Sequence, residues 1–277
     1  MVPCPAVVPS HAVESPSAAR VRGSLTVVGT GIQLASHLTF EARIALQHAQ
    51  LVLCLVAEPA TRAWLERLNP NTQSLNMLYE LDRNRSGAYE AMTEEIARRV
   101  REGLEVCAAF YGHPAVCAAP THEALRRVRS EGFPARMLPG VSAEDCLFAD
   151  LGLDPSRWGW QSYEATDFLV RTRRVDPSAA LVLWQIGTVG SPIASAQKRP
   201  IGLPLLVEAL LELYSPEHEV VVYEASPYPS WDPLVRRVPL SHLCEEHVTA
   251  LSTLYVPPRG EAVLNHAILN RLELRRT

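Results

Sequence analysis

Three side chains suited to proton and oxyanion chemistry fall close together in the chain: Tyr79, Arg85 and Tyr89. A guanidinium stays protonated at ordinary pH, so it cannot serve as a base, but it can stabilise a developing oxyanion. A phenol has an unperturbed pKa of about 10, and a fixed positive charge beside it makes the phenolate more accessible. Pattern alone favours a blander reading, an exposed arginine and two packing tyrosines. His113 sits at the tip of Gly112-His113-Pro114, a turn that closes an apolar run. It would either face a ligand or bond to its own loop. Ser142 and Asp145 have the Ser-x-x-Asp form of a capping box. A cap whose free N–H groups also face a ligand would serve both purposes. Gln185 ends another apolar run, where it would reach a ligand or cap a neighbouring strand. Gly29-Thr30-Gly31 is a lone G-x-G without the third glycine of a dinucleotide fingerprint, and a tight turn with no ligand explains it equally well.

The elements that must hold these residues read as alternating strands and helices. Residues 110–152 run strand, loop, helix, strand, loop, helix. The apolar segment 105–111 is a buried strand, 121–130 a helix with Ala124, Leu125 and Val128 on one face, and 134–138 a short strand. Two strand-to-helix turns so close together suggest a ligand at strand carboxyl ends. Upstream, strands at 25–28 and 51–56 alternate with a helix from Thr39 to His48 and another over 60–68. This is the signature of a parallel sheet. Residues 75–85 are irregular and polar. A helix over 86–102 presents Tyr89, Met92, Ile96 and Val100 on its inner face and ends at Gly103. Downstream, 161–169 reads as a strand entering a short helix. Strands follow at 179–186, 219–225 and 252–256, with a flexible excursion at 188–203, a helix at 204–214 and helical spacing over 261–274. Trp158, Trp160 and Trp231 read as packing or dimer contacts, with no chemistry assigned to them. The first half is parallel α/β and the second mixed, with a boundary near 139–142 and a ligand in the cleft between them.

Composition narrows the function classes. The chain has 277 residues, 47% of them hydrophobic, which supports a sizeable core and excludes wholesale disorder. Net charge is -4 and pI about 6.2, so a basic nucleic-acid footprint is not expected. The basic residues are nearly all arginine; Lys198 is the single lysine. The cysteines (4, 54, 107, 117, 146 and 244) form no C-x-x-C pair and read as free thiols in a reducing cytosol. The histidines show no metal-ligand spacing, so no metal site is expected. No signal peptide or membrane-length apolar run is evident, which makes a cytoplasmic protein the default. Residues 1–22 carry four prolines and no periodicity, and are expected to be a disordered leader.

Several of these stretches resemble the tetrapyrrole-methylase superfamily, and within it the borosin peptide backbone α-N-methyltransferases. They are Val28-Gly29-Thr30-Gly31, Tyr111-Gly112-His113-Pro114, the long run MLPGVSAEDCLFADLGLDP (137–155), YEATDFL (163–169), LVLWQIG (181–187) and ALSTLYVPP (250–258). The resemblance spans roughly Gly23 to Pro258. It implies two α/β domains, over 23–140 and 141–258, with a C-terminal helix at 259–277. It also implies S-adenosyl-L-methionine in the cleft, giving S-adenosyl-L-homocysteine as product, and an interlocked homodimer. By the same resemblance, Tyr111, His113, Val116, Cys117, Ser142, Ala143, Gln185, Tyr223, Ala225, Ser252 and Thr253 line the cofactor pocket. Arg85 and Tyr89 fall on the family's catalytic arginine and tyrosine, and Tyr79 on a supporting tyrosine, which reverses the blander reading of those three. Two departures stand out. Some fused fungal members carry a further tyrosine where this chain has Asn76, so that phenol's role is lost or relocated. The chain also ends 19 residues after Pro258, leaving no space for a fused substrate segment. The expectation is therefore a split, bacterial-type enzyme acting in trans on a separate precursor peptide. The alternatives are a tetrapyrrole-type or other small-molecule methyltransferase on the same fold, and a non-catalytic peptide-binding subunit.

Overall fold

A computed structural model describes residues 23–78, 85–191 and 201–273. The expected leader at 1–22, Tyr79, and most of the excursion expected at 188–203 lie outside the described residues.

The amino-terminal half is built on a five-stranded parallel sheet. Strands β1 (Ser24–Gly29), β2 (Leu51–Leu55), β3 (Thr72–Ser74), β4 (Glu105–Phe110) and β5 (Ala135–Met137) lie in the order β3-β2-β4-β1-β5. The central strands are continuous apolar runs because helices cover both faces. Val27 and Val28 are fully buried on opposite faces, as are Ala108 and Ala109. Helices α1 (Phe40–His48) and α2 (Pro59–Leu68) cover one face. Thr39 caps α1, its hydroxyl accepting from the Ala42 amide at 3.1 Å. Helices α3 (Arg85–Arg101) and α4 (Ala119–Ser130) cover the other face. Ala88, Met92, Ile96 and Val100 recur at helical spacing along α3 and are wholly buried against the sheet.

The carboxy-terminal half carries a mixed sheet. Helix α5 (Ala143–Leu151) and the short α6 (Pro155–Trp158) lead into β6 (Trp160–Glu164) and α7 (Ala165–Val170). Then come β7 (Ala180–Trp184), helix α8 (Leu203–Leu211), β8 (Glu219–Glu224), β9 (Leu234–Pro239), β10 (Thr253–Val256) and helix α9 (His266–Arg271). The sheet order is β6-β7-β10-β8-β9, with β6 and β7 parallel and the remaining pairs antiparallel. The parallel-then-mixed division expected from the sequence is thus present.

Three details differ from the sequence reading. The strands β3 and β9 are added to it, one at an edge of each sheet. The helical spacing over 261–274 yields a helix only at His266–Arg271, with no buried residue. The helix expected at 204–214 ends at Leu211, about one turn early, although Tyr214 still packs into the core. Among the described residues, no helix is long and apolar enough to cross a membrane.

Candidate active site

The cleft opens at the carboxyl ends of the parallel strands, where three glycines from three loops meet. A Cβ on Gly29, the last residue of β1, would lie 2.1 Å from the Gly112 carbonyl oxygen. A Cβ on Gly140 would lie 3.2 Å from that same oxygen and 3.2 Å from Gly29 Cα. Main-chain hydrogen bonds lock the first two loops together: Gly31 N–H to Gly112 O at 3.3 Å, and Gly112 N–H to Gly31 O at 3.0 Å. The lone G-x-G of the sequence therefore has a packing role. It lets the tips of β1, β4 and β5 touch, which sets the floor of the cleft.

The loop after β4 supplies one wall. His113 Nδ1 accepts from the Ala115 amide at 3.0 Å, so the neutral ring carries its proton on Nε2. Val116 is partly exposed, and Cys117 takes a left-handed backbone with φ 51°. The Thr121 hydroxyl donates to the Pro114 carbonyl at 2.5 Å and anchors the loop to α4. Burial pushes the Tyr111 phenol up to about 12, with the charges of Cys146 and Glu224 adding to the effect, so it stays protonated.

The second wall is the start of α5. Ser142 Oγ accepts from the Asp145 amide at 3.2 Å, and Asp145 Oδ2 accepts from the Ser142 amide at 2.7 Å. The capping box read from the sequence is complete, and Ser142 lines the cleft as well. Ala143 and Glu144 follow it. Glu144 is the one carboxylate lining the cleft among the described residues, and the Trp160 indole N–H holds its Oε1 at 2.6 Å.

The second sheet closes the cleft. Gln185 leaves β7 in a left-handed conformation, φ 61°, and lines the cleft with Trp184 and Thr253. Arg85 and Tyr89 stand opposite. They lie one turn apart on α3, so both side chains share a face and both line the same space. The resulting cleft has a volume of about 650 Å³, large enough for a cofactor or a short peptide segment.

Most of the residues singled out in the sequence meet here: Arg85, Tyr89, Tyr111, His113, Val116, Cys117, Ser142, Ala143, Gln185 and Thr253. Tyr223 and Ser252 lie behind this wall. Tyr223 is fully buried, and burial, helped by the 2.6 Å hydrogen bond its hydroxyl donates to Asp150, drives its pKa far upward. Ser252 is fully buried, and its hydroxyl donates to Glu224, which also accepts from Thr249 at 2.7 Å. Ala225 is half-buried and, like Tyr111 and Ala143, packs against the buried cluster that contains Tyr223. Sequence reasoning missed Asn76, Glu144 and Trp184 as cleft residues. The signal for two of them was adjacency, since Glu144 follows Ala143 and Trp184 precedes Gln185.

The family model for tetrapyrrole (corrin/porphyrin) methylases matches residues 24–242, most of both sheets. The chain belongs to the tetrapyrrole methylase family. Among solved structures, this methylase is similar to a uroporphyrin-III C-methyltransferase from Thermus thermophilus, with a TM-score of 0.61 and 23% identity, covering 92% of this chain and 98% of that one. Among curated proteins it is 42% identical over 259 residues to the methyltransferase/ribosomally synthesized cyclic peptide omphalotin A precursor of Omphalotus olearius. That match covers 91% of this chain and 62% of the relative. A type I borosin cyclic peptide precursor of Coprinopsis marcescibilis is 39% identical over 262 residues, covering 91% of this chain and 67% of the relative. The first-matching curated relatives are thus methyltransferase–precursor fusions, and this methylase spans about three fifths of their length.

Proposed function

We propose that this protein methylates backbone amide nitrogens of a ribosomally made peptide, using S-adenosyl-L-methionine. The observation that carries the reading is the joint presence of Arg85 and Tyr89 on one face of α3, in a cleft whose opposite side is the capped start of α5. The roughly 40% identity to borosin-named relatives supports a peptide rather than a macrocycle as substrate.

The cleft fits the cofactor. Ile32, Val116 and Trp184 offer apolar surface, while Gln185, Thr253 and the first turn of α5 offer polar groups. Glu144, fixed by Trp160, gives a cationic ligand a carboxylate to face. When bound, S-adenosyl-L-methionine supplies an electrophilic methyl group and leaves as S-adenosyl-L-homocysteine.

The chain's own residues must then make an amide nitrogen nucleophilic. Its lone pair is delocalised into the carbonyl, so the N–H proton has to leave and charge has to collect on oxygen. Tyr89, helped by Tyr79, positions or removes that proton. Arg85 stabilises the resulting imidate oxygen; a donor of this kind is worth on the order of 100- to 1000-fold in rate. Tyr111, His113, Ser142 and Thr253 hold the methyl donor against this pair and exclude water, and positioning supplies much of the remaining acceleration.

The reading includes a precursor supplied as a separate chain, a homodimer as the working unit, and a cytoplasmic setting. Co-expression with the short reading frames encoded beside it tests the first. Tandem mass spectrometry should find gains of one methylene each on backbone nitrogens of one of those peptides, and no gains with Arg85→Ala. Methylation of carbon on a macrocycle, or peptide binding without transfer, would overturn the proposal. Light scattering of the purified protein tests the dimer.

A further inference from the structure

Two loops of the first half that line the cleft are tied to one segment of the second half. The loop after β1 contributes Ile32 to the lining, and the loop after β2 contributes Val56 and Ala57. Two residues beyond Ile32, the Leu34 amide donates to the Pro227 carbonyl at 2.9 Å. One residue beyond Ala57, the Glu58 carboxylate accepts from the Tyr228 hydroxyl at 2.6 Å. Pro227 and Tyr228 belong to a strap, residues 226–231, that follows the end of β8. The strap is stiff. Pro227 and Pro229 fix their own backbone φ. Ser226 Oγ donates to the Tyr228 carbonyl at 2.9 Å and accepts from the Tyr228 amide at 3.3 Å. The Trp231 amide donates to the same carbonyl at 3.1 Å, and the Tyr228 and Trp231 rings meet edge-on with centroids 4.6 Å apart. Tyr228 is therefore aimed by its own loop. Glu58 stands at the N-cap of α2 yet makes no side-chain capping bond, so its carboxylate serves Tyr228 and not the helix.

We propose that this strap is a latch on the cleft, and that release of the Tyr228–Glu58 bond lets S-adenosyl-L-methionine in and S-adenosyl-L-homocysteine out. The inference rests on the reading above that the cofactor occupies this cleft. The chain passes from the first half to the second between β5 and α5, where Gly140 packs against Gly29 and Gly112. The halves are thus pinned at the floor of the cleft, and the strap holds them at a second edge. Parting them at that edge leaves the glycine contact in place. What breaks is the Tyr228–Glu58 bond, with the Leu34–Pro227 bond beside it. Tyr228 and Glu58 are only half-buried, so water can replace either partner. A bond exchangeable with water opens at small cost, whereas a fully buried one would leave its partners unsatisfied on opening.

A latch obstructs entry and exit alike, so removing it speeds both and leaves affinity where the lining residues set it. The test is stopped-flow binding of S-adenosyl-L-homocysteine to the full chain, followed by tryptophan fluorescence, with Trp184 in the cleft wall as reporter. Tyr228→Phe keeps the ring beside Trp231 and removes only the hydroxyl. Glu58→Ala removes the acceptor. Each should raise the association and dissociation rates together by about three- to tenfold, the equivalent of one hydrogen bond, with an unchanged dissociation constant. The double variant should be no faster than either single one, because both remove the same bond. Wild-type rates in both variants overturn the latch and leave the cofactor reading standing. So does weaker affinity with an unchanged association rate, which would make the pair a structural or binding contact, and so do rate changes that add in the double variant. A wild type that does not bind S-adenosyl-L-homocysteine removes the cofactor reading and the latch with it.

Discussion

Gly29→Ala isolates the contact on which the cleft floor depends. The added methyl would lie 2.1 Å from Gly112 O and 2.8 Å from Pro114 Cδ. Real Cβ atoms essentially never come within 3.0 Å of such neighbours. The tip of β4 must therefore withdraw by about 1 Å before the contact becomes ordinary. Such a shift stretches the Gly31–Gly112 bridge, one bond of which is already 3.3 Å long. Overpacking of this kind costs about 1–3 kcal/mol. Alanine returns about 0.4–1 kcal/mol by restricting the unfolded chain. The net loss of about 1–2 kcal/mol corresponds to a melting temperature roughly 2–4 °C lower. The same displacement moves Gly112 and His113, both in the cleft wall, so affinity for S-adenosyl-L-homocysteine should fall by roughly tenfold or more. Differential scanning fluorimetry and calorimetric titration read the two effects. Gly260→Ala is the control, because its Cβ meets nothing within 4 Å. If Gly29→Ala melts and binds like the wild type, the three-glycine contact does not set the floor of the site.

Arg85→Ala should lower peptide methylation about 100- to 1000-fold while leaving S-adenosyl-L-homocysteine affinity near wild type; equal turnover would remove Arg85 from the oxyanion role. His37 provides a pH prediction. Burial holds its imidazole below the ordinary 6.5, against the opposing pull of Asp150 and Asp145, and its Nδ1 accepts from the Gln33 amide at 3.2 Å. The unfolded chain therefore binds this proton more readily than the folded one, so stability is lost as pH falls through the region just below 6.5. Melting curves at pH 5 and 7.5 should show a smaller acid penalty in His37→Gln than in the wild type, and an unchanged penalty would exclude His37 as its source. Burial raises the Cys54 and Cys146 thiols to about 11 and Cys107 to about 12. A disulfide-exchange reagent at pH 8 should therefore label the exposed Cys117 and Cys244 first, and the other three only after unfolding. Rapid labelling of Cys107 in native protein would contradict its placement in β4.

By itself the sequence determined the elements whose physics is local. Continuous apolar runs bounded by turns marked β1, β2, β4, β7 and β8, because strands buried on both faces need no alternation. Helical spacing marked α3, and Ser142-x-x-Asp145 marked the start of α5, because a cap is satisfied within one turn. Pattern alone favoured an exposed arginine and two packing tyrosines; the family resemblance singled out Arg85 with Tyr89, and the structure puts both on one face of α3. The tertiary structure decided what depends on distant partners. The edge strands β3 and β9 were hidden because their residues are polar or include arginine and proline, and only pairing with β2 and β8 makes them strands. The glycines at 29, 112 and 140 looked like three separate turns, yet their shared reason is a single close approach among loops far apart in the chain. Asn76 became a cleft residue only when the Val56 carbonyl fixed its amide. Glu144 became a positioned carboxylate only when Trp160, on another element, donated to it. Local propensity reads a few residues at a time, whereas a site is assembled by whichever distant loops the packed sheets bring to one end.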